Sequence, residues 1–259
     1  MKMPWWNLAK CTWWWRKWPQ NIPSFLMLHS VSDDVVDSEC PNNTIRPAEL
    51  EQLIVALCDK GYRFRKFSEA IERSADKSVV LTFDDGFVDN YRILFPIVKR
   101  LHVPVTCFVT NRGDSSGRWK DYCRERVGLS ADKLENFLSP GMIAEMHNSG
   151  LVEFGGHTSC HISLTEQSID DARRDINDNK IWIEDIIGER IASFCYPRGR
   201  YNDAIIELVK EAGYKYAATM EKKMRSVEAE PYRIHRQIIP RGLETWQSYL
   251  LATCGKFKI

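Results

Sequence analysis

Two adjacent carboxylates, Asp84 and Asp85, close the apolar run SVVLTF. Alternation along a strand sends neighbouring side chains to opposite faces, so the two acids suit two separate tasks rather than one shared task. Glycoside cleavage by such a pair requires the carboxyls to flank a bond at ~5–9.5 Å, a span that neighbours at one strand end do not readily make. The second chemical group is GGHTSCHISL, where His157 and His161 stand four residues apart. Imidazoles at that spacing converge on one metal if the segment turns helically. Such pairs also occur without metal, but here the histidines and the carboxylates both fall where a strand is ending. One Asp and two His, with positions left open for water, form a donor set for a catalytic Zn²⁺ or a similar divalent ion.

Those residues have to be positioned by the elements around them. SFLMLHS reads as a strand, RPAELEQLIVALCDKGYRF as a helix closed by Gly61, and SVVLTF as a short buried strand. NYRILFPIVKRL is expected to be helical, VPVTCFVT a strand, SPGMIAEMHNSG a helix, and LVEFGG a strand running into a loop. Ser163 and Glu166 form a capping-box pattern, which predicts a long helix over 166–187. IASFCYP, NDAIIELVKEAGY and KYAATM then read as strand, helix and strand. YRIHRQIIPR reads as a last strand, and LETWQSYLLATCG as a final helix. Repeated βα units argue for an α/β fold with a parallel sheet, either closed into a barrel or open and doubly wound. In both, functional groups gather at the carboxyl ends of the strands. His29, Asp84, Asp85, His157 and Tyr196 all fall there.

The chain has 259 residues, 44% of them apolar and 27% charged, an ordinary globular balance. Lys plus Arg (36) nearly equals Asp plus Glu (35), so no global basic field points to nucleic acid. The eight cysteines are scattered without C-x-x-C spacing, which fits reduced thiols in a cytoplasmic protein. No signal peptide is read at the N-terminus. Residues 1–22 form an arm in which Trp5, Trp6, Trp13, Trp14, Trp15 and Trp18 interleave with Lys2, Lys10, Arg16 and Lys17. That mixture suits peripheral contact with a membrane surface, and it equally suits packing on the domain or on a second subunit. Residues 111–138 form a long polar connection, readable either as a lid or as a surface insertion.

LTFDDG resembles the first motif of the polysaccharide deacetylases, carbohydrate esterase family 4, and HTSCH resembles their second. FCYPRGRYN resembles the third, a Pro-x-Gly turn lining the substrate groove. The resemblance spans roughly residues 23–240 and is nearest to the circularly permuted poly-N-acetylglucosamine deacetylase branch. It implies one catalytic domain over 23–259, folded as a distorted (β/α)7-type barrel. It implies Asp84 as general base and Asp85, His157 and His161 as ligands of a divalent metal, most simply Zn²⁺. It also implies removal of N-acetyl groups from an N-acetylated oligo- or polysaccharide, free or lipid-linked. In the permuted branch the acid that protonates the leaving amine sits in an N-terminal strand ending in His, which places His29 in that role, with His235 as runner-up.

The third motif departs from the family pattern. Cys195 stands where the Arg that braces the catalytic Asp is usual, and Arg198 stands where an aromatic is usual. What orients Asp84 is therefore an open question in the sequence. The backbone N–H of Arg198, after Pro197, is a candidate oxyanion donor. Tyr196 and Tyr201 are candidates for stacking on a sugar ring, with buried packing the equal alternative for Tyr196. Two other functions share this fold and these residues: a carbohydrate-binding pseudoenzyme, and a metal-dependent hydrolase of a non-sugar amide.

Overall fold

Short apolar runs without alternation are expected in strands covered on both faces, and the computed structural model has this arrangement. It describes residues 23–34, 43–73, 77–114, 121, 125, 136–221 and 227–254. The Trp-rich arm of residues 1–22 and most of 111–138 lie outside the described residues. In chain order the elements begin with β1 (Ser24–Leu28), β2 (Ser30–Val31), β3 (Thr44–Ile45), α1 (Pro47–Asp59), β4 (Arg63–Phe64) and α2 (Phe67–Glu72). Next come β5 (Ser78–Phe83), α3 (Phe95–Leu101), β6 (Val105–Val109), α4 (Pro140–Asn148), β7 (Val152–Gly156) and α5 (Ile169–Ile187). The chain continues through β8 (Ser193–Cys195), α6 (Asp203–Glu211), β9 (Tyr216–Ala218), β10 (Gln237–Ile238) and α7 (Thr245–Cys254).

One parallel sheet runs in the order β10-β1-β5-β6-β7-β8-β9, with β4 also paired to β5. Its two edges meet through a single segment. Ile234 bridges Ala218 of β9, while Gln237 pairs with Leu26 of β1. The sheet therefore curls into the distorted (β/α) barrel, with residues 234–238 as its closing stave.

Two apolar layers hold it. Outside, α1 turns Leu50, Leu53, Ile54 and Leu57 onto the sheet, a helical stripe with each residue at most 1% exposed. Truncating one such Leu to Ala is expected to destabilise by about 2–5 kcal/mol. Inside, Phe25, Phe67, Val80, Phe108, Ala218 and Ile234 fill the barrel, and Phe67 meets Phe25 and Phe108 edge-on at 5.1 and 5.3 Å. Phe67 opens α2, which plugs the lower mouth. Its first N–H groups donate to Thr106 Oγ1 (2.9 Å) and Glu153 Oε2 (3.1 Å), an anion at a helix N-terminus.

Several elements differ from the sequence reading, among them the end of RPAELEQLIVALCDKGYRF, where Arg63–Phe64 is strand β4 and not helix. The long helix begins at Ile169 and not 166: Leu164–Glu166 forms a 3₁₀ turn, and Ser168 Oγ caps by accepting from Asp171 N–H. Asp170 and Asp171 in its first turn favour that start, because acids stabilise the positive end of a helix. The expected last strand, YRIHRQIIPR, pairs only at Ile234 and over Gln237–Ile238, because it changes partner as it crosses between the two sheet edges. The helix from Asn90 opens as a π turn, Asn90–Leu94, in which Phe95 N–H reaches Asn90 O. Pro96 follows with no N–H to give to the preceding turn, and the widened turn accommodates it.

Candidate active site

Register assembles the site. Leu28 lies beside Phe83, Val109 beside Gly156, Gly156 beside Phe194, and Cys195 beside Ala218. The residues just past these pairs, His29, Asp84 and His157, therefore line the carboxyl edge of the barrel next to Cys195. Asp84 N–H continues the ladder by one bond, to Leu28 O at 3.0 Å. The chain then reverses through Asp85 and Gly86, both left-handed at φ 72° and 76°. A Cβ on Gly86 would lie 3.0 Å from Val109 Cγ1, so crowding adds to the left-handed backbone in favouring glycine there. Thr158, His161 and Arg198 are also left-handed (φ 63°, 60° and 57°). Non-glycine residues there carry roughly 1–2 kcal/mol of strain each, and such strain clusters at functional sites.

That turn aims Asp85 at the histidine loop. Asp85 Oδ1 lies 3.2 Å from His161 Nε2 and 3.6 Å from His157 Nε2. The three donor atoms fall within 4.8 Å of one another. His157 Nδ1–H donates to Cys195 O at 2.8 Å, which leaves the Nε2 lone pair facing Asp85. A hydrogen bond of this kind from the far side of the ring fixes the tautomer that a metal-ligating imidazole needs. Burial lowers the His157 pKa and pushes His161 down to about 3, so both rings are neutral donors near pH 7. Burial works to raise the Asp85 pKa, but the charges of His161 and Arg112 beside it outweigh burial and hold the carboxyl well below its usual range. Arg112, which stays charged, is the partner that persists at neutral pH. A neutral His pair with one ionised carboxylate fits a divalent ion.

Asp84, His157 and Cys195 also lie close enough to hold an ion. Their chemistry fits one less well. Both Asp84 oxygens are engaged, and burial pushes the Cys195 thiol far above its usual pKa, so it remains protonated.

Asp84 has a different set of partners. Arg236, on the closing stave, donates Nη1 to Oδ1 and Nη2 to Oδ2, each at 2.7 Å. Its Nη1 also reaches Thr82 Oγ1 (2.9 Å) and its Nη2 approaches Cys195 Sγ (3.0 Å). The two side chains are 0% and 4% exposed. Burial would raise the Asp84 pKa, but the Arg236 charge and hydrogen bonds outweigh it and keep the carboxyl ionised. The guanidinium missing from position 195 is thus supplied from position 236, and the small thiol leaves room for it. Sequence reasoning missed Arg236, which lies in the run YRIHRQIIPR read only as a last strand.

His29 is half-buried at the end of β1, and its proximity helps to lower the pKa of both Asp84 and Asp85. Its carbonyl accepts from Asn90 Nδ2 at 2.9 Å. Asp89 holds the next two residues, accepting from Ser30 Oγ (2.5 Å) and Val31 N–H (3.1 Å). The run that carries the carboxylate pair therefore also pins the His29 backbone.

Two buried side chains on α5, one turn apart, fix the histidine loop. Asn179 Oδ1 accepts from His157 N–H (2.9 Å), while its Nδ2 donates to Val109 O and Asn111 Oδ1. Asp175 Oδ1 accepts from Ser159 N–H at 2.9 Å. Polar residues on the buried face of an amphipathic helix were the available signal.

The third motif divides. Pro197 is buried and Arg198 exposed, at the rim. Tyr196 is 1% exposed, with its ring edge-on to Phe194 and stacked on Tyr201 at 4.9 Å. It has no face for a sugar, which corrects its candidacy as a stacking residue; the aromatic layer of the core uses it instead. Tyr201 is half-buried, and its hydroxyl donates to Glu221. His235 turns its Nδ1–H to the Glu221 carbonyl.

Comparison with known proteins bears on the family and the fold. The family model described as polysaccharide deacetylase matches residues 72–217. The poly-β-1,6-N-acetyl-D-glucosamine N-deacetylase of Staphylococcus epidermidis is 26% identical over 217 residues, covering 78% of this chain and 70% of its own. Among solved structures, the Streptococcus pyogenes deacetylase PplD superposes with a TM-score of 0.73 at 24% identity, covering 91% of this chain and 99% of that one. IcaB from Ammonifex degensii gives 0.67 at 23%, covering 85% and 92%.

Proposed function

Since this chain belongs to the polysaccharide deacetylase family, we propose that it hydrolyses N-acetyl groups on an N-acetylated glycan, poly-β-1,6-N-acetylglucosamine being the substrate class suggested by its relatives. The observation that carries the reading is the segregation of the two acids. Asp84 is clamped by Arg236, and Asp85 faces His157 and His161. Asp85, His157 and His161 would hold a divalent ion, most simply Zn²⁺, which when bound supplies Lewis acidity toward the acetyl carbonyl and the attacking water.

The chain's own groups complete the reaction. Asp84 takes a proton from water as its oxygen bonds to the carbonyl carbon. Arg236 keeps Asp84 ionised and fixed in direction without approaching the substrate. The Arg198 N–H, turned by its left-handed backbone at the rim, donates to the developing oxyanion. His29 gives its proton to the departing nitrogen as the C–N bond breaks, leaving acetate and a free amine. Tyr201 and Pro197 border the sugar.

The test is acetate release from a panel of N-acetylated oligosaccharides and lipid-linked sugars, with and without chelator. Chelator-sensitive release from an N-acetylglucosamine oligomer is expected. Release from simple non-sugar acetamides alone would overturn the substrate class.

A further inference from the structure

Asp85 faces a third group besides the two imidazoles. Arg112 Nη2 donates at 3.1 Å to Asp85 Oδ1, the same oxygen that both histidines approach. The two side chains are 13% and 11% exposed, so water screens the contact poorly. Arg112 is also held in place. Its Nε donates to Thr110 Oγ1 at 3.0 Å, and its guanidinium carbon sits 4.1 Å over the Phe137 ring. Phe137 stacks on Phe87 at 5.4 Å, and the strand-like bridge between them ties into the carboxylate turn through Leu138 N–H to Gly86 O at 2.7 Å. Moving the guanidinium away from Asp85 would break this set of contacts.

A cation at that place can act in two ways of opposite sign. A donor to a ligating carboxylate orients it, and losing such a donor typically weakens metal binding by roughly 10–100-fold. A cation beside the ligand shell also repels an incoming dication, and losing it strengthens binding. Orientation has other sources here. Asp85 is set by its left-handed backbone, and its carbonyl accepts from Thr110 Oγ1 at 3.3 Å. Charge repulsion at short range in a poorly hydrated site is large, and it is therefore expected to win.

We propose that Arg112 is the built-in counter-charge of the metal-free site: it neutralises Asp85 when no dication is present and lowers the affinity of the site for the ion. The proposal rests on the reading of Asp85, His157 and His161 as the ligands. Its consequence is a site that is preformed without metal and that exchanges metal readily. The charge and the hydrogen bond can be separated by substitution, since glutamine keeps a donor and lysine keeps the charge.

The experiment titrates Zn²⁺ into metal-stripped full-length chain, wild type, Arg112→Gln, Arg112→Lys and His157→Ala, by competition with a chelating dye, alongside thermal melts of the metal-free forms. Arg112→Gln is expected to bind Zn²⁺ about tenfold tighter or more and to melt lower without metal. Arg112→Lys should stay near wild type. Equal or weaker Zn²⁺ binding by Arg112→Gln overturns the proposal and assigns Arg112 to orientation. If Arg112→Gln is recovered only with Zn²⁺ present, its rate of Zn²⁺ loss to the dye is timed, where slower release than wild type supports the proposal and equal or faster release overturns it. Wild type and His157→Ala binding alike would overturn the ligand reading itself, an outcome distinct from a failure of the Arg112 role alone.

Discussion

Replacing Arg236 by methionine removes both 2.7 Å donors from Asp84 and leaves a carboxylate that is 4% exposed with no permanent counter-charge of its own. Breaking a buried ion pair from one side is worth about 3–5 kcal/mol, because the remaining charge is stranded. Methionine is close to arginine in length and leaves little cavity, so the electrostatic part dominates. For a chain of this size 1 kcal/mol lowers Tm by roughly 2–4 °C, which places the expected drop at roughly 6–20 °C. Asp84 can escape by taking up a proton, but a protonated Asp84 cannot accept one from water, so turnover should fall with stability. The double variant Arg236→Met with Asp84→Asn separates the two effects. It carries no stranded charge, and most of the lost stability should return while activity does not. Urea unfolding of the four members of this cycle measures the coupling directly. A single Arg236→Met within 1 kcal/mol of wild type in stability, or with wild-type acetate release, would refute the assignment of Arg236 as the brace of the catalytic carboxylate.

The other contacts make narrower claims. Asn90→Ala removes the 2.9 Å donor to the His29 carbonyl from a 0% exposed position. It should lose about 1–3 kcal/mol of stability and lower kcat, with Zn²⁺ affinity unchanged in a dye titration. Asn179→Ala strands the His157 N–H and the Val109 carbonyl. A stability loss of about 2–4 kcal/mol in urea is expected, together with weaker Zn²⁺ binding, because the histidine loop loses its anchor on α5. Unchanged Zn²⁺ affinity in that variant would show that the Nδ1–H bond to Cys195 O and the left-handed turn at Thr158 suffice to place His157.

The parts of the site legible in the sequence were those whose partners lie nearby in the chain. SVVLTF is mostly apolar and carries no charge because β5 is buried on both faces, and so Asp84 and Asp85 stand out at its end. His157 and His161 stand out because their spacing is local. Arg236 is 152 residues from Asp84, and only closure of the barrel brings them together, so Cys195 read as a missing brace rather than as space made for another one. Asp175 and Asn179 were hidden by the length of α5, where a few buried polar groups do not disturb the amphipathic pattern. Tyr196 read equally as a stacking platform and as buried packing because a strand-end tyrosine can point either way; the neighbouring rings of Phe194 and Tyr201 decide its direction. The helix start was misplaced by two competing serines, Ser163 and Ser168, of which the second carries the cap.

The division of labour between the adjacent acids is tested most directly by measuring bound Zn²⁺ per chain, alongside acetate release, in Asp84→Asn and Asp85→Asn. Asp84→Asn should retain about one ion per chain and lose turnover, whereas Asp85→Asn should lose both. Metal lost from Asp84→Asn but kept in Asp85→Asn would contradict the account.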